Sequence, residues 1–330
     1  DALMTDGLAA RTGAAAPRRS YWRRASATLA RSAAVSLAGT LQQLILDEFP
    51  KTFGTARDGM FRRLCGSVFA LPTGRFGRLF AAADREVGRA GLGSGCAHLL
   101  AGVGVRAASR GTENLPAEGP LLVVANHPGT YDSLALASCI RRRDLKIVLR
   151  EIPFFRALPN ASQCFLYATF EPISSMMALR AAIRHLQDGG SVLLFGTGTI
   201  EPDPALGPGA IAALEGWKRS IEIIMRRVHA LKLVPAAVSG VQVPAFVNNP
   251  LRLVRQQPAD RRRVTEYLQV ITQMLFPRWF SMTVKMSFAP PVTVEELSRE
   301  SGGGRLMPAI LARERSVLEE HQAAWPGGNG

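Results

Sequence analysis

The chain has 330 residues, 47% of them apolar and only 20% charged, which is enough for one large domain with a sizeable core and a smaller helical part. Forty Lys and Arg against 26 Asp and Glu leave a net charge of +14, a balance that favours an anionic partner such as membrane headgroups, nucleic acid or a phosphorylated cofactor. Cys65, Cys96, Cys139 and Cys164 lie far apart with no C-x-x-C pair, so they read as buried thiols of a reducing compartment rather than a disulfide frame or zinc site, and no apolar run is long enough to span a bilayer.

Residues 7–46 contain no acid but carry Arg11, Arg18, Arg19, Arg23, Arg24 and Arg31. Trp22, Leu29, Ala33, Leu37, Leu41 and Leu44 recur at roughly helical spacing within this stretch. Residues 1–50 therefore read as a basic amphipathic arm or interfacial helix. A targeting segment and an ordinary helix packed on the core are the other readings. Residues 51–105 read as a helical subdomain, punctuated by Pro72, Gly74, Gly91, Gly93 and Gly95. Gly102-Val-Gly-Val-Arg-Ala107 matches G-x-G-x-x-A, but no long helix follows it, so it reads as packing or a turn rather than a dinucleotide site.

Residues 106–300 alternate strand and helix signals. Strands are expected over 121–125, 145–149, 165–170, 191–195, 231–241 and 282–288. Helices are expected from 132, over 176–186, over 210–227 as one long element, and over 260–276. This alternation predicts an α/β fold, a largely parallel sheet flanked by helices, with the helical subdomain on its N-terminal side. Residues 301–330 read as a Gly-rich linker and one more helix. No zinc-finger spacing, RNP motif or helix-turn-helix pattern appears, which argues against nucleic acid as the partner.

The chain is organised around 119–132, where a buried strand ends in Asn126-His-Pro-Gly-Thr-Tyr-Asp132. Four residues separate His127 from Asp132. A turn between them lets the carboxylate orient the imidazole and leaves the other ring nitrogen to take a proton. The alternative reading makes Asp132 a helix N-cap and His127 a polar strand end. The position, after a buried strand and in a polar loop, favours catalysis.

The segment Asn126-His127-Pro128-Gly129-Thr130-Tyr131-Asp132 resembles the first motif of the glycerolipid acyltransferases of the glycerol-phosphate and lysophosphatidate type. Phe195-Gly-Thr-Gly-Thr199 sits where that family has Phe-Pro-Glu-Gly-Ser/Thr-Arg, and Arg150-Glu-Ile-Pro153 and Val234-Pro235 resemble two further segments. The resemblance implies transfer of a fatty acyl group from acyl-CoA or acyl carrier protein to a hydroxyl of a lipid or lysophospholipid-type acceptor. It implies no bound cofactor and no metal, with the acyl thioester as co-substrate. The substrate class it implies lives in a bilayer, so a cytoplasmic, peripherally membrane-associated protein is expected, drawn by its net charge of +14 to an anionic membrane surface. His127 and Asp132 become the catalytic pair, with His127 as general base. Asn126, Gly129, Thr130, Arg150, Thr197, Gly198, Thr199 and Glu201 become the substrate-binding candidates, and the backbone N–H groups of 196–199 candidate anion donors. Three departures stand out. Thr197 replaces the Glu, Ile200 the Arg, and Glu171 stands where the second motif ends in Arg. They leave open a non-catalytic lipid- or membrane-binding member of the same fold. Glu201 and Asp203 either add carboxylates to the site or are solvated loop acids before prolines.

Overall fold

Short, largely apolar strands occupy the middle of a sheet whose two faces are both covered. In the computed structural model, residues 36–53, 59–169, 171–207, 209–250, 258–276 and 281–326 are described. The strands are β1 (Val105–Arg110), β2 (Leu121–Ala125), β3 (Leu145–Arg150), β4 (Phe165–Ala168), β5 (Ser191–Phe195), β6 (Lys232–Ser239) and β7 (Met282–Phe288). They lie in the order β1-β7-β6-β2-β5-β3-β4. Each neighbouring pair is parallel except β6 and β7, which run antiparallel. The architecture is thus the expected α/β fold with a largely parallel sheet flanked by helices.

The principal helices are α1 (Leu37–Phe53), α2 (Gly59–Ala90), α3 (Leu92–Gly102), α4 (Thr130–Cys139), α5 (Pro172–Gln187), α6 (Ser220–Arg227), α7 (Pro258–Leu275), α8 (Val294–Glu300) and α9 (Met307–Ala324). Strand alternation in β2 divides the core between two faces. Leu121, Val123 and Ala125 point into one cluster with Leu41 of α1, Val87 of α2, Cys96 of α3 and Leu136 of α4. Leu122 and Val124 point into the other with Leu186 of α5, Ile221 of α6 and Leu318 of α9. A Leu or Val so enclosed contributes about 1.5–3 kcal/mol over its exposed state, which explains why the centre of the sheet reads as uninterrupted apolar sequence.

Several expectations need correction. The later part of the N-terminal apolar stripe is a packed helix: Leu41 and Leu44 are buried in the core, as an interfacial helix would not allow. Trp22, Leu29 and Ala33 lie outside the described residues. Pro72 and Gly74 do not end a helix but sit inside the 32-residue α2. Around Pro72 the Ala70 carbonyl accepts from Thr73 Oγ1 at 3.3 Å within α2 and from Gln42 Nε2 at 2.8 Å, the second bond tying α1 to α2. One turn on, a Cβ at Gly77 would stand 2.2 Å from the Ala38 carbonyl oxygen. The glycine is there for helix–helix approach, not for a turn. Gly77→Val should therefore push α1 off the core and cost about 1–3 kcal/mol, read as a lower denaturant midpoint.

The strand β1 escaped the sequence reading because it is an edge strand with mostly exposed side chains, among them Arg106 and Arg110. The G-x-G-x-x-A match resolves into the end of α3, a left-handed turn at Gly104 (φ 74°) and the start of β1. The helix expected over 210–227 is broken into Gly209–Ala213, a 3-10 turn Leu214–Gly216, and α6. Of the expected buried thiols, Cys96 is buried, while Cys139 and Cys164 are half-buried and free. At the other end of the chain α9 is pinned to the sheet: His321 lies 2.7 Å from Ser287 Oγ through Nδ1 and 2.7 Å from Ser239 Oγ through Nε2. No helix among the described residues is long and apolar enough to cross a membrane.

Candidate active site

The parallel strands β2, β5, β3 and β4 all end at one edge of the sheet, and the loops leaving β2 and β5 meet there. Such an edge is where open α/β sheets place ligands. Gly196 N–H donates to the Ala125 carbonyl at 3.1 Å, and Glu201 N–H to the His127 carbonyl at 2.7 Å, so the two loops are bonded to each other. Asn126 is fully buried and bridges to β6: its Nδ2 donates to Val238 O at 2.9 Å and its Oδ1 accepts from Val238 N at 2.8 Å. Both polar ends of Asn126 therefore serve backbone. This corrects its assignment to substrate binding and makes it the clamp that fixes where His127 emerges.

His127 Nδ1 lies 2.7 Å from Asp132 Oδ2. Asp132 is fully buried, and the same Oδ2 accepts from Gly129 N–H at 2.8 Å while Oδ1 accepts from Ser133 N–H. Asp132 is not the N-cap, which is Gly129, but stands third in α4, and the carboxylate that accepts from the Gly129 N–H also holds the imidazole. An ionised carboxylate can only accept, so Nδ1 carries its proton and Nε2 is the nitrogen left to act. The ring stacks on Phe195 at 4.4 Å between centroids, and its side chain is 24% exposed. It is held from behind and open on one side.

Three carboxylates surround this ring. Burial alone would lower the His127 pKa, but the charge and hydrogen bond of Asp132, then the charges of Glu266 and Glu201, outweigh it and raise it to about 9. Glu266, from α7, accepts from Thr130 Oγ1 at 3.1 Å. Burial raises its own pKa to about 7, with His127 pulling down and Asp132 pushing up. A Cβ at Gly129 would stand 2.6 Å from Glu266 Oε1, so only glycine admits that carboxylate so close to the loop. Glu201 and Asp203 are buried, which removes the solvated-loop reading. Asp203 accepts from the backbone N–H groups of Ala205, Gly240, Val241 and Gln242 and is a structural anchor. Glu201 is held above the ordinary carboxylate range by burial, and Thr197 Oγ1 lies 2.8 Å from its Oε1. Behind it, the Trp217 indole offers a hydrogen bond to Glu201, and Glu314 is buried with its pKa raised by burial and by the Glu201 charge.

The 196–199 loop differs from an open anion nest. Gly196 N–H is bonded to Ala125 O, Thr197 N–H to Glu201 Oε1 at 3.4 Å and Thr199 N–H to Thr197 Oγ1 at 3.1 Å. Thr197, Thr199 and Glu201 thus bond one another rather than facing outward as donors. Gly198, exposed and left-handed (φ 67°), keeps a free N–H among the described residues, and Lys218 Nζ would stand 3.0 Å from a Cβ built on it. Lys218 reaches the loop because the chain breaks its helix there: Lys218 N–H donates to Gly196 O at 2.9 Å, and Trp217 packs its ring under Gly196. Arg262 of α7 donates to the Ile200 carbonyl at 2.6 Å, beside the position where the family motif has its own arginine. Arg150 stands exposed at the end of β3, with β5 between it and β2. Among the described residues no three His, Cys, Asp or Glu side chains are placed to share a metal ion.

Residues 106–239 match the family model described as Acyltransferase. Over that stretch the chain is similar to the acyltransferase family. No curated protein matches the sequence. Among solved structures, the crystal structure of the 1-acyl-sn-glycerophosphate (LPA) acyltransferase PlsC from Thermotoga maritima aligns with 15% identity and a TM-score of 0.42, over 93% of this chain and 99% of that one. The matched stretch contains His127, Asp132, the 196–201 loop and Lys218. Glu266, Arg262 and Glu314 reach the same place from helices beyond it, and the sequence offered no motif by which to find them. Their signal was faint: lone polar or charged residues on helices otherwise read for their apolar faces.

Proposed function

We propose that the protein transfers a fatty acyl group from an acyl thioester, of coenzyme A or acyl carrier protein, to a hydroxyl of a lysophospholipid-type acceptor, with His127 as the general base. The observation that carries this reading is the 2.7 Å contact between His127 Nδ1 and buried Asp132, which leaves Nε2 available at the open side of the ring. In the reaction, Nε2 takes the acceptor's hydroxyl proton as that oxygen attacks the thioester carbonyl carbon. The oxyanion collapses, the C–S bond breaks, and the thiolate leaves with the proton held by the imidazolium. The thioester is already activated, so no acyl-enzyme is required. The Gly198 N–H and the Lys218 ammonium are the donors available to the developing oxyanion or to an acceptor's phosphate.

The departures from the family motif bear on the acceptor. Ile200 removes a guanidinium that would grip phosphate in bidentate fashion, Arg262 is engaged with a backbone carbonyl, and Lys218 is a point charge. Glycerol 3-phosphate should accordingly be a poor acceptor, with turnover at least about tenfold below that of a lysophospholipid, the scale of one lost charge-assisted bond. Thiol release, together with mass detection of the acylated product across a panel of acceptors, tests both statements. Acylation of glycerol 3-phosphate in preference to lysophospholipids would overturn the acceptor assignment. Thiol release that no hydroxyl acceptor stimulates would favour the non-catalytic lipid-binding reading, for which Thr197, Ile200 and Glu171 are the motivating residues.

A further inference from the structure

The first two turns of α5 present large apolar side chains to solvent. Ile173 is 75% exposed, Met176 53% and Met177 64%. Its inner face, Ala178, Ala182 and Leu186, is buried against the sheet, so the helix is already anchored and its outer face is unpartnered among the described residues. At about 100° per residue, positions 173, 176, 177, 180 and 184 fall within one arc of about 100°. The same stripe therefore continues from Ile173, Met176 and Met177 into Arg180 and Arg184, both exposed. The apolar end lies at the rim. Strand β4 feeds α5 at the sheet edge where β2 delivers His127, and two strands separate β4 from β2, a distance of about 14 Å.

We propose that this stripe of α5 is the surface by which the protein seats on an anionic lipid bilayer, Ile173, Met176 and Met177 entering the interface and Arg180 and Arg184 meeting the headgroup phosphates. The proposal rests on the reading that the acceptor is a lipid. Along the helix axis Ile173 and Arg180 are about 10 Å apart, so the apolar end can enter the interface while the arginines stay at the level of the headgroups. Charge selects the occupant. The chain's own segment 7–35 has no acid and six arginines, so it would lay cations against Arg180 and Arg184. A second copy would bring +14 against +14. An anionic surface complements the stripe as neither of these does. It would also place bilayer lipid within one lipid's length of the His127 loop.

The test is sedimentation of the full chain with vesicles of equal phosphatidylglycerol and phosphatidylcholine. All five side chains are exposed, so their replacement leaves the core untouched. The triple variant Ile173→Ser, Met176→Ser, Met177→Ser should bind at least about tenfold more weakly. Arg180→Ser and Arg184→Ser should each cost about fivefold, a difference that disappears on pure phosphatidylcholine. Met177→Trp, in vesicles of brominated lipid, should show quenching beyond that of the wild type whatever the N-terminal arm does. Wild-type binding by the triple variant overturns the proposal. So does a triple variant that binds normally but loses a self-association seen in the wild type, which would make the stripe a contact between copies. Acylation of a monomeric short-chain acceptor, measured alongside, separates the two readings: if it proceeds while vesicle binding ignores the stripe, the surface alone fails. If vesicle binding falls as expected but no acceptor is acylated, the surface stands and the catalytic reading fails.

Discussion

Replacing His127 by Ala should lower acyl transfer by about 10²–10⁴-fold with little change in KM for the thioester, the range expected for loss of a positioned general base, equivalent to about 3–5 kcal/mol on the barrier. The fold should survive, because the ring is partly exposed and its main packing partner is the face of Phe195. Asp132→Asn should be nearly as damaging, and for a reason visible in the hydrogen bonds. Oδ2 faces two donors, His127 Nδ1 and Gly129 N–H, and Oδ1 faces a third, Ser133 N–H. Whichever way an Asn amide is turned, its NH₂ meets a donor. The variant either loses the His127 contact or opens the start of α4, at about 1–3 kcal/mol. Thiol release measured at saturating acceptor checks both variants. Wild-type turnover by His127→Ala would remove the residue from the chemistry altogether.

How much of this was legible in the sequence depended on whether a residue's role is fixed by its near neighbours. Strands β2 and β5 were readable to the residue because their apolar runs are bounded by turn residues and buried on both sides, and β7 because Met282, Val284, Met286 and Phe288 alternate with Thr283, Lys285 and Ser287. The His127–Asp132 pair was readable because a turn of fixed length brings them together. Edge strand β1 was not, since its side chains carry no burial pattern. The break before α6 was invisible because its cause is remote in sequence: Trp217 fills the space over Gly196, and a continuous helix would have carried it past. The same remoteness hid Glu266, Arg262 and Lys218, which come to the site only through tertiary packing. Asn126 misled in the opposite direction. A polar residue beside a catalytic histidine reads as substrate-binding, yet its partners are the backbone atoms of Val238, more than a hundred residues away.

Acyl transfer should rise with pH well past neutrality. With its pKa raised to about 9, His127 holds both ring protons at pH 7 in about 99 molecules of 100. Only the remainder can take a proton from the acceptor, so kcat/KM should climb about tenfold per unit from pH 7 toward 9 and then level. Asp132 on α4, Glu201 on the loop after β5 and Glu266 on α7 are the charged groups that face the ring, and the climbing limb belongs to this cluster rather than to one side chain. Glu266→Gln removes one of those charges but keeps an oxygen to accept from Thr130 Oγ1. The limb should therefore move to lower pH, with the protein still folded. Stability should run the other way. The folded pKa of His127 lies above its ordinary 6.5 and that of Glu266, about 7, above its ordinary 4.5. Glu266 therefore gives its full stabilisation below 4.5 and loses it as pH rises through 7, while His127 gives its own below 6.5 and loses it through 9. Denaturant midpoints should thus fall across the interval in which turnover rises. An imidazole NMR titration of His127, run with the pH–rate profile, checks the assignment. A midpoint near 6.5 in the wild type, or a profile that Glu266→Gln leaves in place, would mean that the carboxylates of α7 and the β5 loop do not set the proton affinity of the base.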